Sequence, residues 1–130
     1  MKATARQRSK LTHDVKVRMH QLTADEPEDQ GGDDQGPSPQ ELLAASLASC
    51  TAITMEMYAK RKGWNVDGLA VEVDYQPAER GAVTRFELVM KMPAHLSDEQ
   101  VRKLQVIAAK CPVHRTLEGE VAFDERVELA

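Results

Sequence analysis

The chain has two cysteines, Cys50 and Cys111, and they are the side chains best suited to chemistry. A redox pair needs one thiolate that attacks and a second thiol that resolves the oxidised sulfur, with Cα atoms about 5.5 Å apart. The separation of about 60 residues along the chain neither forbids nor establishes such an approach. The alternative is that Cys50 is an inert small hydrophobe, as is common for a cysteine on an apolar helix face.

The segment around Cys111 favours an acidic thiol. Cys111 precedes Pro112, which can occupy the first position of a short helix, where backbone N–H groups stabilise a thiolate. His114 and Arg115 follow three and four residues later, so one helical turn would bring their charge near the sulfur. Two other chemistries stay open: a zinc site built from both cysteines and His114, and a hydrolase in which His114 is the base for a cysteine nucleophile.

A long helix is predicted to carry Cys50. The segment Ser38–Glu41 marks its start, because the serine can cap, the proline suits the first position and the glutamate completes a capping box. The helix is predicted to run to Lys62 and to stop at Gly63. Nearly every face of it is apolar or small, and 130 residues offer little material to cover it, so a second copy of the chain is expected to help. Steps of three and four place Cys50 on one stripe of this helix with Leu43, Leu47, Thr54 and Met57.

The remaining segments show either the alternation of strands or the spacing of helices. The predicted strands are Thr4–Lys10, Asp14–Leu22, Leu69–Gln76, Ala82–Met92 and Glu120–Leu129. The acidic stretch from Asp25 to Asp34 is predicted to be a loop. A second helix opens at Ser97–Gln100 and ends at Cys111, and a short turn of helix follows from Pro112 to Leu117. This order predicts an α+β fold in which antiparallel sheet packs on helices, with residues 1–130 forming a single domain.

The composition excludes some classes of function. The net charge of −4 argues against a nucleic-acid-binding protein, which needs a basic face to neutralise phosphates. The apolar run Leu42–Met55 is shorter than the roughly 20 residues that span a membrane, so no membrane association is expected. Because no secretory signal is visible, we expect a cytoplasmic protein, in which a cysteine pair is usually transient and catalytic.

Two sequence blocks together resemble the OsmC/Ohr family of osmotically inducible protein C and organic hydroperoxide resistance proteins. The first block lies between Thr23 and Lys62 and contains the sequence GPSPQELLAASLASCTAIT. The second block is Ala109–His114, with the sequence AKCPVH. The order of elements and the chain length are also similar to those of the family, so the resemblance covers nearly the whole chain.

The resemblance implies an OsmC-like antiparallel sheet wrapped around a long central helix, in an intertwined homodimer with active sites at the subunit interface. It implies a stress-response peroxidase that reduces organic hydroperoxides with thiols. Cys50 matches the peroxidatic position, and Cys111 matches the resolving position. No bound cofactor or metal is implied, and an external dithiol or lipoyl-type reductant would reset the pair.

Family members place an arginine beside the first cysteine and hold it with a glutamate early in the same helix. At the matching position this chain has Gln40, with Glu41 one residue later, which is a rotation of about 100° on a helix. Arg18 is the preferred candidate for the arginine, and Arg6 and Arg8 are the others. The glutamine supports an alternative function, a binding or redox-sensing protein of the same fold with weak or no peroxidase activity.

Overall fold

The computed structural model describes residues 1–129 and opens with an antiparallel sheet of three strands. These strands are β1 (Thr4–Ser9), β2 (Thr12–Val17) and β3 (His20–Ala24), in the order β1-β2-β3. The prediction of one strand over Asp14–Leu22 is wrong, because the chain reverses at Arg18. This residue adopts a left-handed backbone conformation with φ of 55°, which lets β2 turn directly into β3.

The acidic segment after β3 is a loop, as predicted, with a single 3₁₀ turn at Glu28–Gln30. It is anchored by Asp25, whose side chain is buried. The Asp25 carboxylate accepts hydrogen bonds from the hydroxyl of Thr12 (2.7 Å) and from the backbone N–H groups of Glu26 (2.8 Å) and Gln35 (3.2 Å). These bonds hold the pKa of Asp25 below its ordinary value, with the Thr12 hydroxyl as the largest cause.

The long helix α1 (Pro39–Lys62) begins and ends where the sequence predicts. At its start, the Glu41 carboxylate accepts the backbone N–H of Ser38 (2.9 Å), and the Ser38 hydroxyl accepts the N–H of Glu41 (3.1 Å). This is the predicted capping box. The chain leaves the helix at Gly63, whose φ of 72° is readily adopted by glycine.

The buried face of α1 is next to the stripe that carries Cys50. Its buried side chains are Leu47, Thr51, Met55 and Ala59. On the stripe of Cys50 beyond Leu47, Cys50 is only half-buried and Met57 is 60% exposed. Ile53 is also exposed, so α1 presents an open apolar face. By length and composition alone, α1 could also cross a membrane.

The second half of the chain forms a strand pair and two helices. They are β4 (Ala70–Gln76), β5 (Arg85–Lys91), α2 (Asp98–Ala108) and α3 (Pro112–Glu118). The largest core cluster is made by Met55 and Ala59 of α1 with Leu104 and Ala108 of α2. The α+β prediction is confirmed.

The predicted last strand is wrong for the described residues, because 120–129 has no regular secondary structure. The apolar alternation is present there, but a strand forms only where a neighbouring strand pairs with its backbone. Contacts divide the chain into two compact units: Met1–Ala45 with Asp74–Glu87, and Ser46–Val73 with the chain from Leu88 onward. The single domain over 1–130 stays a prediction.

Candidate functional site

The thiols of Cys50 and Cys111 are both free and interact with each other. Cys50 projects from the middle of α1 and is half-buried, whereas Cys111 is fully buried at the N-cap of α3. The helix α3 begins here because Pro112 occupies its first turn, where the missing backbone N–H costs no hydrogen bond. Both sulfur atoms belong to the second compact unit.

The Cys111 sulfur has two hydrogen-bond partners besides Cys50. The backbone N–H of His114, in the first turn of α3, donates to the sulfur over 3.3 Å. The hydroxyl of Thr51 lies 3.7 Å from the same sulfur and also donates to the carbonyl of Leu47 over 2.8 Å. A sulfur held by an N-cap position and a hydroxyl is fixed in orientation, which a resolving thiol requires.

The Cys50 sulfur has a parallel set of partners. The backbone N–H of Val113 and the hydroxyl of Thr54 both favour the thiolate and lower its pKa. Burial and the neighbouring Cys111 act in the opposite direction, and burial is the largest cause. The net result is a Cys50 pKa above the ordinary value for a cysteine.

The imidazole of His114 pairs with Glu118, whereas the sequence predicted its charge near the Cys111 sulfur. Its Nε2 lies 2.8 Å from the carboxylate of Glu118, one turn further along α3. The group of His114 that donates a hydrogen bond to Cys111 is the backbone N–H. Within residues 1–129, no three His, Cys, Asp or Glu side chains are arranged to hold a metal ion, so the zinc alternative has no geometric support.

The charged candidates near the chain start lie in the first compact unit. Arg18 lies in the turn between β2 and β3 and lines a cavity of 650 Å³ together with Arg6 and Lys16. Arg8 instead pairs with Asp14 over 2.5 Å. Within the described part of the second unit, no cationic side chain contributes to the pKa of Cys50.

The two candidates at the start of α1 have different surroundings. The carboxylate of Glu41 is occupied by the cap at Ser38, whose hydrogen bond holds the pKa of Glu41 below its ordinary value. Gln40 is exposed in the first turn of the helix. The capping bond therefore fixes Glu41 as a structural group.

The model of the OsmC-like protein family matches residues 31–126, which is most of the chain. The chain belongs to the OsmC family. The matched range includes Gln40, Glu41 and both cysteine segments, whereas β1, β2 and β3 precede it. No curated protein matches the sequence.

Solved structures show that the fold is the one found in other OsmC and organic hydroperoxide resistance proteins. An OsmC-like protein from Mycoplasma pneumoniae is 22% identical over 91% of this chain and 86% of that chain, with a TM-score of 0.77. An organic hydroperoxide resistance protein OsmC from Legionella pneumophila is 17% identical over 90% and 88%, with a TM-score of 0.66. The organic hydroperoxide resistance protein OhrB of Bacillus subtilis is 22% identical over 91% and 90%, with a TM-score of 0.62.

Sequence reasoning gave no role at the site of this OsmC-family chain to three groups: Thr51, Thr54 and the backbone of Val113. A signal was present for Thr54, because it follows Cys50 by four residues, where helical spacing places its side chain beside the cysteine. Helical spacing does not mark Thr51, which directly follows Cys50. A backbone donor carries no sequence signal of its own beyond the proline that starts α3.

Proposed function

We propose that this protein is a thiol peroxidase that reduces organic hydroperoxides through Cys50, with Cys111 as the resolving thiol. The observation that carries the proposal is the contact between the two thiols, each with a backbone N–H donor from the first turn of α3. Membership of a family that includes organic hydroperoxide resistance proteins supports the same chemistry.

The reaction proceeds in two thiol steps. The Cys50 thiolate attacks the outer oxygen of the O–O bond, and with one proton the hydroperoxide leaves as an alcohol, so that Cys50 becomes a sulfenic acid. The thiol of Cys111 then attacks that sulfur. The sulfenic hydroxyl leaves with the thiol proton as water, and a Cys50–Cys111 disulfide forms.

An external dithiol completes the cycle by exchange with the disulfide, through a mixed disulfide, and becomes oxidised itself. A lipoyl-type reductant fits this role, because its two adjacent thiols release the protein thiols in a single exchange sequence. Neither a bound cofactor nor a metal enters the proposal. We place the reaction in the cytoplasm, where thiols are kept reduced.

The preference for organic hydroperoxides rests on the face of α1 around Cys50. Ile53 and Met57 follow Cys50 by three and seven residues, so helical spacing puts them on its side of the helix. Both are exposed. We propose that a second copy of the chain covers this face and closes an apolar pocket in which the alkyl group of the substrate packs.

Thiol counting under anaerobic conditions tests the function. One equivalent of cumene hydroperoxide should remove both free thiols of the reduced protein and yield one equivalent of cumyl alcohol, whereas hydrogen peroxide should act more slowly. A thiol count that stays at two after cumene hydroperoxide would overturn the proposal.

A second candidate is a binding or redox-sensing protein with weak or no turnover. It is favoured by the raised pKa of Cys50 and by Gln40 at the family's glutamate position. Steady-state turnover with dihydrolipoamide separates the two functions.

Arg18 remains our candidate for an activating cation, since it forms no salt bridge within residues 1–129, whereas Arg8 is paired. Two variants, Arg18→Gln and Arg6→Gln, test this assignment. Only Arg18→Gln should slow the oxidation of Cys50.

A further inference from the structure

Thr51 is a polar residue on the buried stripe of α1, where the neighbouring positions are the apolar Leu47 and Met55. Its exposed fraction is 0%. A buried hydroxyl costs free energy unless it is hydrogen-bonded, so its two contacts determine what it contributes. These contacts are with the Leu47 carbonyl at 2.8 Å and with the Cys111 sulfur at 3.7 Å.

The Thr51 hydroxyl has a single proton, so it can be the donor in only one of its two contacts. That proton is donated to the Leu47 carbonyl. The contact between the Thr51 oxygen and the Cys111 sulfur therefore has the thiol S–H as its donor. The His114 N–H meanwhile donates to the same sulfur, so in this arrangement the sulfur accepts from His114 and the S–H is directed at Thr51.

We propose that Thr51 is a positioning residue for the resolving step, in which its hydroxyl turns from the Leu47 carbonyl to the Cys111 sulfur as the thiol proton leaves. This inference rests on the proposed function, since it concerns the attack of Cys111 on oxidised Cys50. A rotation about one C–O bond gives the developing thiolate a second donor beside the His114 N–H. The thiol proton leaves with the sulfenic hydroxyl as water, and the S–S bond forms between Cys50 and Cys111.

The Thr51 hydroxyl can change partners because little free energy is lost at the Leu47 carbonyl and a stronger bond is gained at the Cys111 sulfur. The Leu47 carbonyl lies inside α1, where the helix supplies its own backbone hydrogen bond and the hydroxyl is an additional donor. The developing thiolate gains a charge-assisted hydrogen bond, which is stronger than the one that the carbonyl loses. Removing the hydroxyl should therefore slow disulfide formation by about tenfold.

Two matched pairs of proteins separate this role from packing. Thr51→Val keeps the shape of the side chain and removes the hydroxyl, so it is compared with the wild type. Thr51→Ser and Thr51→Ala both lack the methyl group, and they differ only in the hydroxyl. The second pair keeps the test decisive even if the valine variant fails to fold.

The experiment is a single turnover with cumene hydroperoxide, quenched at intervals with dimedone and an alkylating agent. Mass spectrometry then gives the rate at which the Cys50 sulfenic acid becomes the Cys50–Cys111 disulfide. We expect Thr51→Val and Thr51→Ala to be slow, and Thr51→Ser to resemble the wild type, whatever the folding stabilities of the variants.

Four outcomes would overturn the inference. A valine variant as fast as the wild type shows that the hydroxyl is not used. A serine variant as slow as the alanine variant shows that the methyl group, and hence packing, is what matters. A wild-type protein that forms sulfenic acid but no disulfide removes the resolving step itself, and one whose thiols do not react at all removes the proposed function.

Discussion

The two compact units of the chain use their polar groups in different ways. In the first unit, charged side chains are engaged in local structure: Arg8 pairs with Asp14, Asp25 anchors the acidic loop and Glu41 caps α1. In the second unit, the two thiols contact uncharged groups, namely backbone N–H groups and threonine hydroxyls.

This difference explains why Cys50 is not an acidic thiol in the described chain. Uncharged donors offset part of the cost of burying a thiolate, but burial remains the larger effect, and the pKa of Cys50 is raised. Any further activation of Cys50 must come from a positive charge outside these donors, because deeper burial would raise the pKa of the thiol further. The charged groups of the first unit therefore stabilise the fold, whereas the uncharged groups of the second unit act on thiol reactivity.

The largest expected effect is on the thiols themselves. Cys50→Ser should abolish peroxide reduction, because the sulfur that attacks the O–O bond is lost. Cys111→Ser should still consume one equivalent of cumene hydroperoxide and then stop as the Cys50 sulfenic acid, which dimedone labelling and mass spectrometry detect. If Cys111→Ser protected Cys50 from oxidation and Cys50→Ser did not protect Cys111, the two roles would be reversed.

The next effect concerns the open face of α1. Ile53→Asp should convert a dimer of about 29 kDa into a monomer of 14.4 kDa, measured by size-exclusion chromatography with light scattering, because a carboxylate would be buried without a partner. Val106→Asp is the matched control, since Val106 on α2 has the same exposed fraction as Ile53, 53%. A wild-type protein that is monomeric at all concentrations would refute the proposed assembly.

How well the sequence predicted each feature depends on whether the interactions that form it are local or distant along the chain. Local signals were sufficient for the capping box at Ser38, the end of α1 at Gly63 and the short helix after Cys111. The buried side of α1 could not be identified from the sequence, because nearly every face of the helix is apolar or small and its periodicity does not single one out. The turn at Arg18 was missed because no glycine, proline or asparagine marks it, although an arginine adopts the left-handed conformation there.

Non-local features were harder to predict. The contact between Cys50 and Cys111 could be expected only from the family resemblance, because spacing along a chain does not determine distance in a fold. The alternating residues of 120–129 were predicted as a strand, yet pairing depends on a neighbour that the chain within 1–129 does not provide. The threonine donors were missed because threonine is a common residue with many structural roles.

A moderate effect is expected on stability when the charges of the first unit are changed. Asp25→Asn should lower the melting temperature at pH 7, because an amide has one acceptor oxygen for a site that receives three hydrogen bonds. The pKa of Asp25 is lowered by folding, so its contribution is present above the ordinary pKa of aspartate and is lost as the pH falls through the folded value. The difference in melting temperature between wild type and variant should therefore shrink on acidification, as measured by circular dichroism.

The same variant tests the separation between the units. Below its melting temperature, Asp25→Asn should reduce cumene hydroperoxide at the wild-type rate, because Asp25 has no part in the thiol chemistry. A variant that kept its melting temperature but lost activity would show that the charges of the first unit act on the thiols.

The smallest expected effect is on the reactivity of Cys50. Because the pKa of Cys50 is raised, the rate of its alkylation by iodoacetamide should rise at a higher pH than that of an unperturbed cysteine. Thr54→Val should move this profile further upward, because the hydroxyl that favours the thiolate is lost, and should slow alkylation at about pH 8 by about threefold. The difference should vanish at a pH high enough to ionise Cys50 fully in both proteins.

Thr54→Ser is the matched control for this prediction, since it keeps the hydroxyl and loses only the methyl group. Alkylation of the Cys50 peptide is quantified by mass spectrometry, so that Cys111 does not contribute to the signal. Serine should restore the wild-type profile if hydrogen bonding sets the reactivity. Identical profiles for valine, serine and threonine would mean that the hydroxyl has no influence, and that burial and the neighbouring Cys111 alone determine when Cys50 ionises.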